Sequence, residues 1–515
     1  MRRTWLMPVV AAAGALLLLA ATVAAEQPGQ WWEPGSGRPL PARVEYNDPS
    51  GRFGLINASG SFTTKGHPFF EPIGTNGRAC VSCHQPSDGM SLSLASIDER
   101  WQATGGKDPV FAPIDGANCP NLPVADAASH SLLLKRGLFR VALPWPPRDD
   151  KGQPVTPEFT IEVVRDPTGC NSGPEYGVNG TRHEISVYRR PRPAVNLRYV
   201  ASSGFGVSPF IGKTGQLAAV DPETGRPLNM NMMADARRST LKTQAQSAAH
   251  DHLQVAQPLT PTQLNQIQEF EQQLYGAQSF STLGGPLHEA DGPSGLGPEA
   301  MEKGRSGVLG NNTTQYVIPM ENKWADLPVG GTAEEKARNE YRESIQRGHD
   351  VFFFRTFWIQ GAMHINTVGL GNPIKRTCAT CHGMHMTGMD TANGWMDLGT
   401  TNHPYALEPA ESPWAKDLPP LPLFKVTCRD DLPPHPFLGR VIYTQDPGRA
   451  LISGKCEDVG AIVIQQFRGL AARAPYFSNG SAKSLRELVD FYDRRFNIKY
   501  TDQEKTDLVN FLGAL

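Results

Sequence analysis

The sequence predicts a mainly α protein of two similar domains with long loops and a small β insertion in the first domain. Three observations predict it. The pentapeptide C-x-x-C-H occurs twice, as Cys80-Val81-Ser82-Cys83-His84 and Cys378-Ala379-Thr380-Cys381-His382. A capped amphipathic helix follows each copy, opening at Thr260 and at Thr501. Gly 51 and Pro 44 in 515 residues exceed average usage, which implies long connections between few regular elements.

At the N-terminus, Met1, Arg2 and Arg3 precede an apolar run from Leu6 to Ala21, and Val23-Ala24-Ala25 supplies small residues before Glu26. This pattern predicts a signal peptide over 1–25, cleaved near Ala25. A membrane anchor is the alternative, but the small residues and the Gln/Gly/Pro-rich sequel favour cleavage. The expected location is periplasmic, with no membrane anchor after cleavage. Lys+Arg 49 against Asp+Glu 51 gives a net charge of -2 without a basic tract, so nucleic acid is not an expected partner.

C-x-x-C-H is the attachment signature of c-type haem. Two cysteines at this spacing form thioethers with the vinyl groups, and the adjacent histidine becomes the proximal iron ligand. The expectation is two covalently attached haems in two cytochrome c-like domains, held by Cys80, Cys83 and His84 and by Cys378, Cys381 and His382. A redox dithiol would not need His84 and His382, and an exported chain disfavours a cytosolic-type zinc site. Cys119, Cys170, Cys428 and Cys456 remain, an even number in an oxidising compartment, and they predict disulfides. Of three pairings, Cys119 with Cys170 and Cys428 with Cys456 keeps each bridge within one half.

The halves repeat more than the motif. Lys65-Gly66-His67-Pro68-Phe69-Phe70 precedes the first copy as Arg347-Gly348-His349-Asp350-Val351-Phe352 precedes the second. Aligning Thr260 with Thr501 also aligns Gln263 with Glu504, Ile267 with Leu508 and Phe270 with Phe511. Each half reads as helix, haem motif, long loops and closing helix, with Gly276 stopping the first closing helix. The domains are expected at 26–290 and 345–515, with a Gly/Pro/Asn-rich interdomain linker over 291–344. Within 137–200, Phe159-Thr160-Ile161-Glu162-Val163 alternates as a strand of the β insertion does.

The run Arg468-Gly469-Leu470, Ala474-Pro475-Tyr476-Phe477-Ser478-Asn479-Gly480-Ser481 and Ser484-Leu485-Arg486-Glu487-Leu488-Val489-Asp490-Phe491-Tyr492 follows the second motif. It resembles the bacterial di-haem cytochrome c peroxidase superfamily, including the methylamine dehydrogenase maturation-type di-haem oxidases. The resemblance covers both motifs and most of the second half, and is poor over 85–240. The family's W-D-G-R stretch is absent between Asn196 and Leu241. In Leu241-Lys242-Thr243-Gln244-Ala245, Thr243 stands where the resemblance places a distal glutamate.

Tyr492 falls, by resemblance, where peroxidases have an axial Met and the maturation oxidases an axial Tyr, so the resemblance implies that it is the axial ligand of the second haem. Met384, Met386, Met389, Met396, His385 and His403 are rivals. The resemblance implies an open or weakly ligated site over His84, the proximal ligand of the peroxidatic haem, with His130, His250 and His252 as distal-side candidates. Trp101 and Trp145 are candidate electron relays. A Ca²⁺ between the domains is a further family feature, without ligands assigned here.

The function expected from this reading is a periplasmic di-haem oxidoreductase: one haem transfers electrons and the other activates hydrogen peroxide or oxygen. Its partners would be an electron-donor protein, such as a small cytochrome or cupredoxin, and a protein or organic substrate. The alternative is a non-catalytic di-haem electron carrier.

Overall fold

In a computed structural model of the chain, the described residues are 25–26, 31–148, 152–202, 232–290, 292–304, 322–364, 371–382, 395–406 and 421–515. Apart from Ala25, the expected signal peptide lies outside them. Among them, no helix is long and apolar enough to cross a membrane. Helix and sheet are mixed, with more strand than a small insertion would supply.

Ahead of the first motif the chain forms a hairpin, Arg43–Asp48 with Gly51–Asn57, instead of the expected helix. Residues 42–48 are the longest stretch free of Gly and Pro between 31 and 77, too short for a helix of ordinary length but enough for a strand. Val44, Tyr46, Phe53 and Leu55 are buried in the first core with Trp32, Phe69, Phe70 and Phe270. On its other side, Gly51–Asn57 pairs antiparallel with Leu274–Ser281.

That strand also corrects the role given to Gly276. The closing helix runs Pro261–Gln273 and passes directly into Leu274–Ser281, so Gly276 lies inside a strand. A Cβ there would sit 2.4 Å from the Phe53 ring, so the position needs the absence of a side chain and not a helix stop.

In the second half, helices stand before and after the motif, with strands between them. Thr332 caps Ala333–Phe354 through a capping box with Glu335, and Thr501 caps Asp502–Gly513 through one with Glu504. These helices cross at Gly348, where a Cβ would lie 2.0 Å from the Asp507 carbonyl oxygen. Between them in the chain, Ser484 caps Leu485–Phe496. The repeated histidines pack alike: His67 lies 5.4 Å from the Phe270 ring and His349 lies 5.8 Å from the Phe511 ring. Within 291–344, Gly297–Lys303 is helical and the long helix already begins at Ala333.

Both halves contribute to a further β unit. Phe159–Arg165 forms where alternation predicts a strand, and pairs antiparallel with Leu423–Cys428, which also pairs with Val441–Thr444. Phe159, Ile161, Phe424, Val426 and Ile442 form its core together with Ile185 and Val187 of the ribbon Phe139–Pro144/Glu184–Arg189. Cys119–Cys170 and Cys428–Cys456 are disulfide-bonded, with Cα atoms 5.3 and 5.8 Å apart. A buried ionic network also joins the halves: Arg189 binds Asp446 through Nε (2.6 Å) and Nη2 (2.9 Å), and Asp235 through Nη1.

Candidate functional site

Each C-x-x-C-H copy forms a single 3₁₀ turn, Cys80–Ser82 and Cys378–Thr380, on the wall of a cavity. The tight turn brings both cysteines and the next histidine to one side. Ser82 Oγ accepts from the Ala79 N–H and Thr380 Oγ1 from the Thr377 N–H, so the two turns close alike. The four motif cysteines are not disulfide-bonded. Burial pushes the Cys83 and Cys381 thiols up to about 12 and Cys378 up to about 11. Such thiols lack the low-pKa thiolate of a redox dithiol.

The first cavity, about 1340 Å³, is lined by Cys80, Cys83 and His84. Burial pushes His84 down to about 4, so it is a neutral imidazole, the form that ligates a metal. Its Nδ1 donates to the Met90 carbonyl at 3.1 Å, which leaves Nε2 as the ligating nitrogen. The helix Leu241–Leu253 crosses the cavity with Leu241, Gln244, Ala245, Ala248 and His252 on one stripe.

Of the distal-side candidates, the structure brings only His252 to this cavity. Its Nδ1 donates to Asp115 Oδ2 at 2.7 Å, and Asp115 pairs through Oδ1 with the fully buried Arg78. Burial opposes ionisation of Asp115, but Arg78 and His252 outweigh it and hold the carboxyl below its ordinary range. His130 is instead a fully buried core residue whose Nδ1 and Nε2 face the Gly116 and Val124 carbonyls at 2.8 and 2.9 Å. His250 is exposed beside Asp251. Thr243 completes the helix cap with Thr240 and faces solvent, so the position matched to a distal glutamate is outside the cavity.

The second cavity, about 680 Å³, is lined by Cys378, Cys381, His382 and an almost wholly apolar set that includes Phe467, Leu488, Phe496 and Leu512. Tyr492 lines it too, with its ring 6.2 Å from the His382 ring and nearly perpendicular. Burial pushes His382 down to about 3, and its buried Nδ1 has no hydrogen-bond partner. Met396 and His403 do not line this cavity; Met384, His385, Met386 and Met389 lie outside the described residues. Trp101 packs on Phe111 and His130, and Trp145 on Phe159, and neither lines either of these two cavities. Among the described residues, no group of three or more His, Cys, Asp or Glu stands together to hold a metal ion such as Ca²⁺.

Both donor sets fit haem. Each offers paired thiols, a neutral imidazole and a largely apolar wall.

No family model matches the chain. Over 81 residues it is 36% identical to the cytochrome-c peroxidase IdrP1 of Pseudomonas sp. (strain SCT), a match covering 14% of this chain and 21% of the relative. The match thus spans about a fifth of that relative's length. It supports a peroxidase-like haem protein and no particular member. Among solved structures, a hydrazine synthase from Kuenenia stuttgartiensis overlays 64% of this chain and 73% of its own at 14% identity and a TM-score of 0.28. A MauG-like protein associated with microbial copper homeostasis overlays 62% and 80% at 17% identity and a TM-score of 0.26. At such scores neither overlay bears on the argument.

Sequence reasoning missed Asp115, Gln244 and Glu271 in the first cavity, and Phe467 and Tyr500 in the second. Asp115 had no signal, since its partners Arg78 and His252 are distant in the chain. Glu271 did have one: the Thr260/Thr501 alignment sets it opposite Leu512.

Proposed function

We propose that the chain is a periplasmic di-haem c-type oxidoreductase in which the Cys80 cavity is the catalytic centre and the Cys378 cavity the electron-transfer centre. The observation that carries this reading is the difference between the cavities. The first holds an oriented histidine, a buried carboxylate partner and an amide; the second is almost wholly apolar, with Tyr492 on its wall.

A haem held by Cys80, Cys83 and His84 would supply an iron able to bind peroxide or oxygen and exchange electrons. Arg78 keeps Asp115 ionised, Asp115 holds the proton of His252 on Nδ1, and His252 Nε2 is then the nitrogen that accepts or returns a proton at a bound substrate. Gln244 adds an amide to the same stripe. In the other cavity, Tyr492 would occupy the remaining coordination position of a haem held by Cys378, Cys381 and His382, and Leu488, Phe496 and Leu512 exclude water from it. The electron donor would be a small cytochrome or cupredoxin.

The test is optical and EPR spectroscopy of the purified protein with and without peroxide. Two haems per chain, with one low-spin signal and one high-spin signal that peroxide perturbs first, support the reading. Two low-spin haems inert to peroxide and cyanide, in both oxidised and half-reduced protein, would favour a non-catalytic electron carrier.

A further inference from the structure

The closing helices Pro261–Gln273 and Asp502–Gly513 share a capping box and a packing face, and they differ at one position that lines a cavity. Phe270 and Phe511 are both buried at equivalent places. The next residue is Leu512 in the second half, where it lines the cavity, and Glu271 in the first, where it also lines the cavity. Leucine is therefore sufficient for packing at this place, and the carboxyl needs another explanation.

Glu271 is 5% exposed, and its Oε2 is buried without a hydrogen-bond partner. Transferring an unpaired carboxylate into such a site is costly, so burial favours the protonated form. Burial alone pushes it up to about 8.

Its surroundings do not neutralise it. Cys80, with which it interacts electrostatically, faces it from the motif turn, where Cys83 and His84 also line the cavity. From the helix Leu241–Leu253 the one ionisable group in the cavity is His252, which is committed to Asp115. Of the cavity's guanidinium groups, Arg189 is bound to Asp446 and Asp235, and Arg237 to Asp235. Arg190 bonds the Arg136, Leu92 and Arg473 carbonyls, and Arg192 those of Val463 and Ile464.

We propose that Glu271 is a redox-linked proton site: its carboxylate binds one proton when the haem of the first cavity accepts one electron, and releases it when that electron leaves. This rests on the di-haem reading above. The electron comes from a one-electron donor and the proton from solvent; one O–H bond forms on the carboxylate, and no other bond changes. The cause is electrostatic. A site that gains one negative charge disfavours a second one in the same low-dielectric enclosure, so the reduced state holds the proton more tightly than the oxidised state. Among the described residues, the second cavity has Leu512 in this place and no carboxyl on its wall.

The experiment is spectroelectrochemical titration of the loaded protein from pH 5 to 10, preceded by a haem count. In the native protein, the reduction equilibrium of the first haem should change by up to tenfold per pH unit over part of this range, which is about 59 mV for one electron. The second haem should stay nearly flat. Glu271→Gln keeps the shape and removes the ionisation, and Glu271→Leu borrows the residue of the second half; both should flatten the first haem and leave the second unchanged. A flat first haem in the native protein, or an unchanged slope in both variants, would overturn the proposal. Fewer than two haems per fully matured chain would remove the di-haem reading itself, a result separable from the slope.

Discussion

Gln466 and Phe467 are consecutive in the chain, yet Gln466 lines the Cys80 cavity and Phe467 lines the Cys378 cavity. Gln466 is fixed by hydrogen bonds with Asn196 and the Val195 carbonyl, and the Phe467 ring lies 4.3 Å from the His382 ring. One peptide unit thus joins the walls of both cavities, a position that neither Trp101 nor Trp145 occupies.

Phe467→Leu should slow electron equilibration between the haems while costing no more than about 1.5 kcal/mol, since it keeps most of the buried volume. Flash or stopped-flow reduction of half-reduced protein reads the rate, and an unchanged rate counts against this route.

His252→Gln should lower peroxide turnover by about 10²–10⁴-fold, the usual contribution of a positioned acid or base, with little change in melting temperature because the side chain is part-exposed. Asp115→Asn should lower turnover too, and it should also destabilise the fold by about 3–5 kcal/mol by leaving the buried Arg78 without its counter-charge. Steady-state kinetics beside urea unfolding separates the two effects.

The ionic network between the halves sets an acid limit. Burial opposes the charge on Asp235, but Arg237 and Arg189 win and hold its carboxyl far below the usual range. A depressed carboxyl contributes its full stability above its ordinary value of 3.8 and loses it as pH falls towards the folded value. Asp235→Asn should therefore destabilise the protein more at pH 7 than at pH 3. Equal losses at both values would contradict the ionic origin.

Tyr492→Phe removes one oxygen and keeps the ring, so it should alter the low-spin spectrum of the second haem and leave the first haem's peroxide response intact. The stability change should stay within about 1.5 kcal/mol, the net worth of a hydrogen bond. An unaltered low-spin spectrum would return Tyr492 to a packing role.

What was legible in the sequence was local. Thr260, Thr332, Ser484 and Thr501 sit three residues before Gln263, Glu335, Glu487 and Glu504, and each caps the helix it announces. The motif turns need only five residues, and the disulfide pairing followed from keeping partners close. The hairpin at 43–57 has a local turn signal in Asp48-Pro49-Ser50-Gly51, which the helical expectation from the repeat does not accommodate. Asp115 with His252, Arg189 with Asp446, and Gln466 beside Phe467 depend on how distant segments meet, and no local period encodes that. Thr243 is the opposite case: its place in the motif matches, but the stripe that meets the cavity passes from Leu241 to Gln244 and Ala245 and leaves Thr243 on the solvent side.

The ladder between Phe159–Arg165 and Leu423–Cys428 has a consequence for biogenesis. At about 5–20 residues per second, some tens of seconds separate the emergence of the first strand from that of its partner. Until then Phe159 and Ile161 lack the sheet that buries them, and the strand presents an open edge of the kind that invites aggregation. The leading half consequently cannot reach its mature state ahead of the trailing half. A nascent chain truncated before residue 423 should need a holding chaperone, and cutting the gene at the linker should yield two insoluble pieces in place of two working cytochromes.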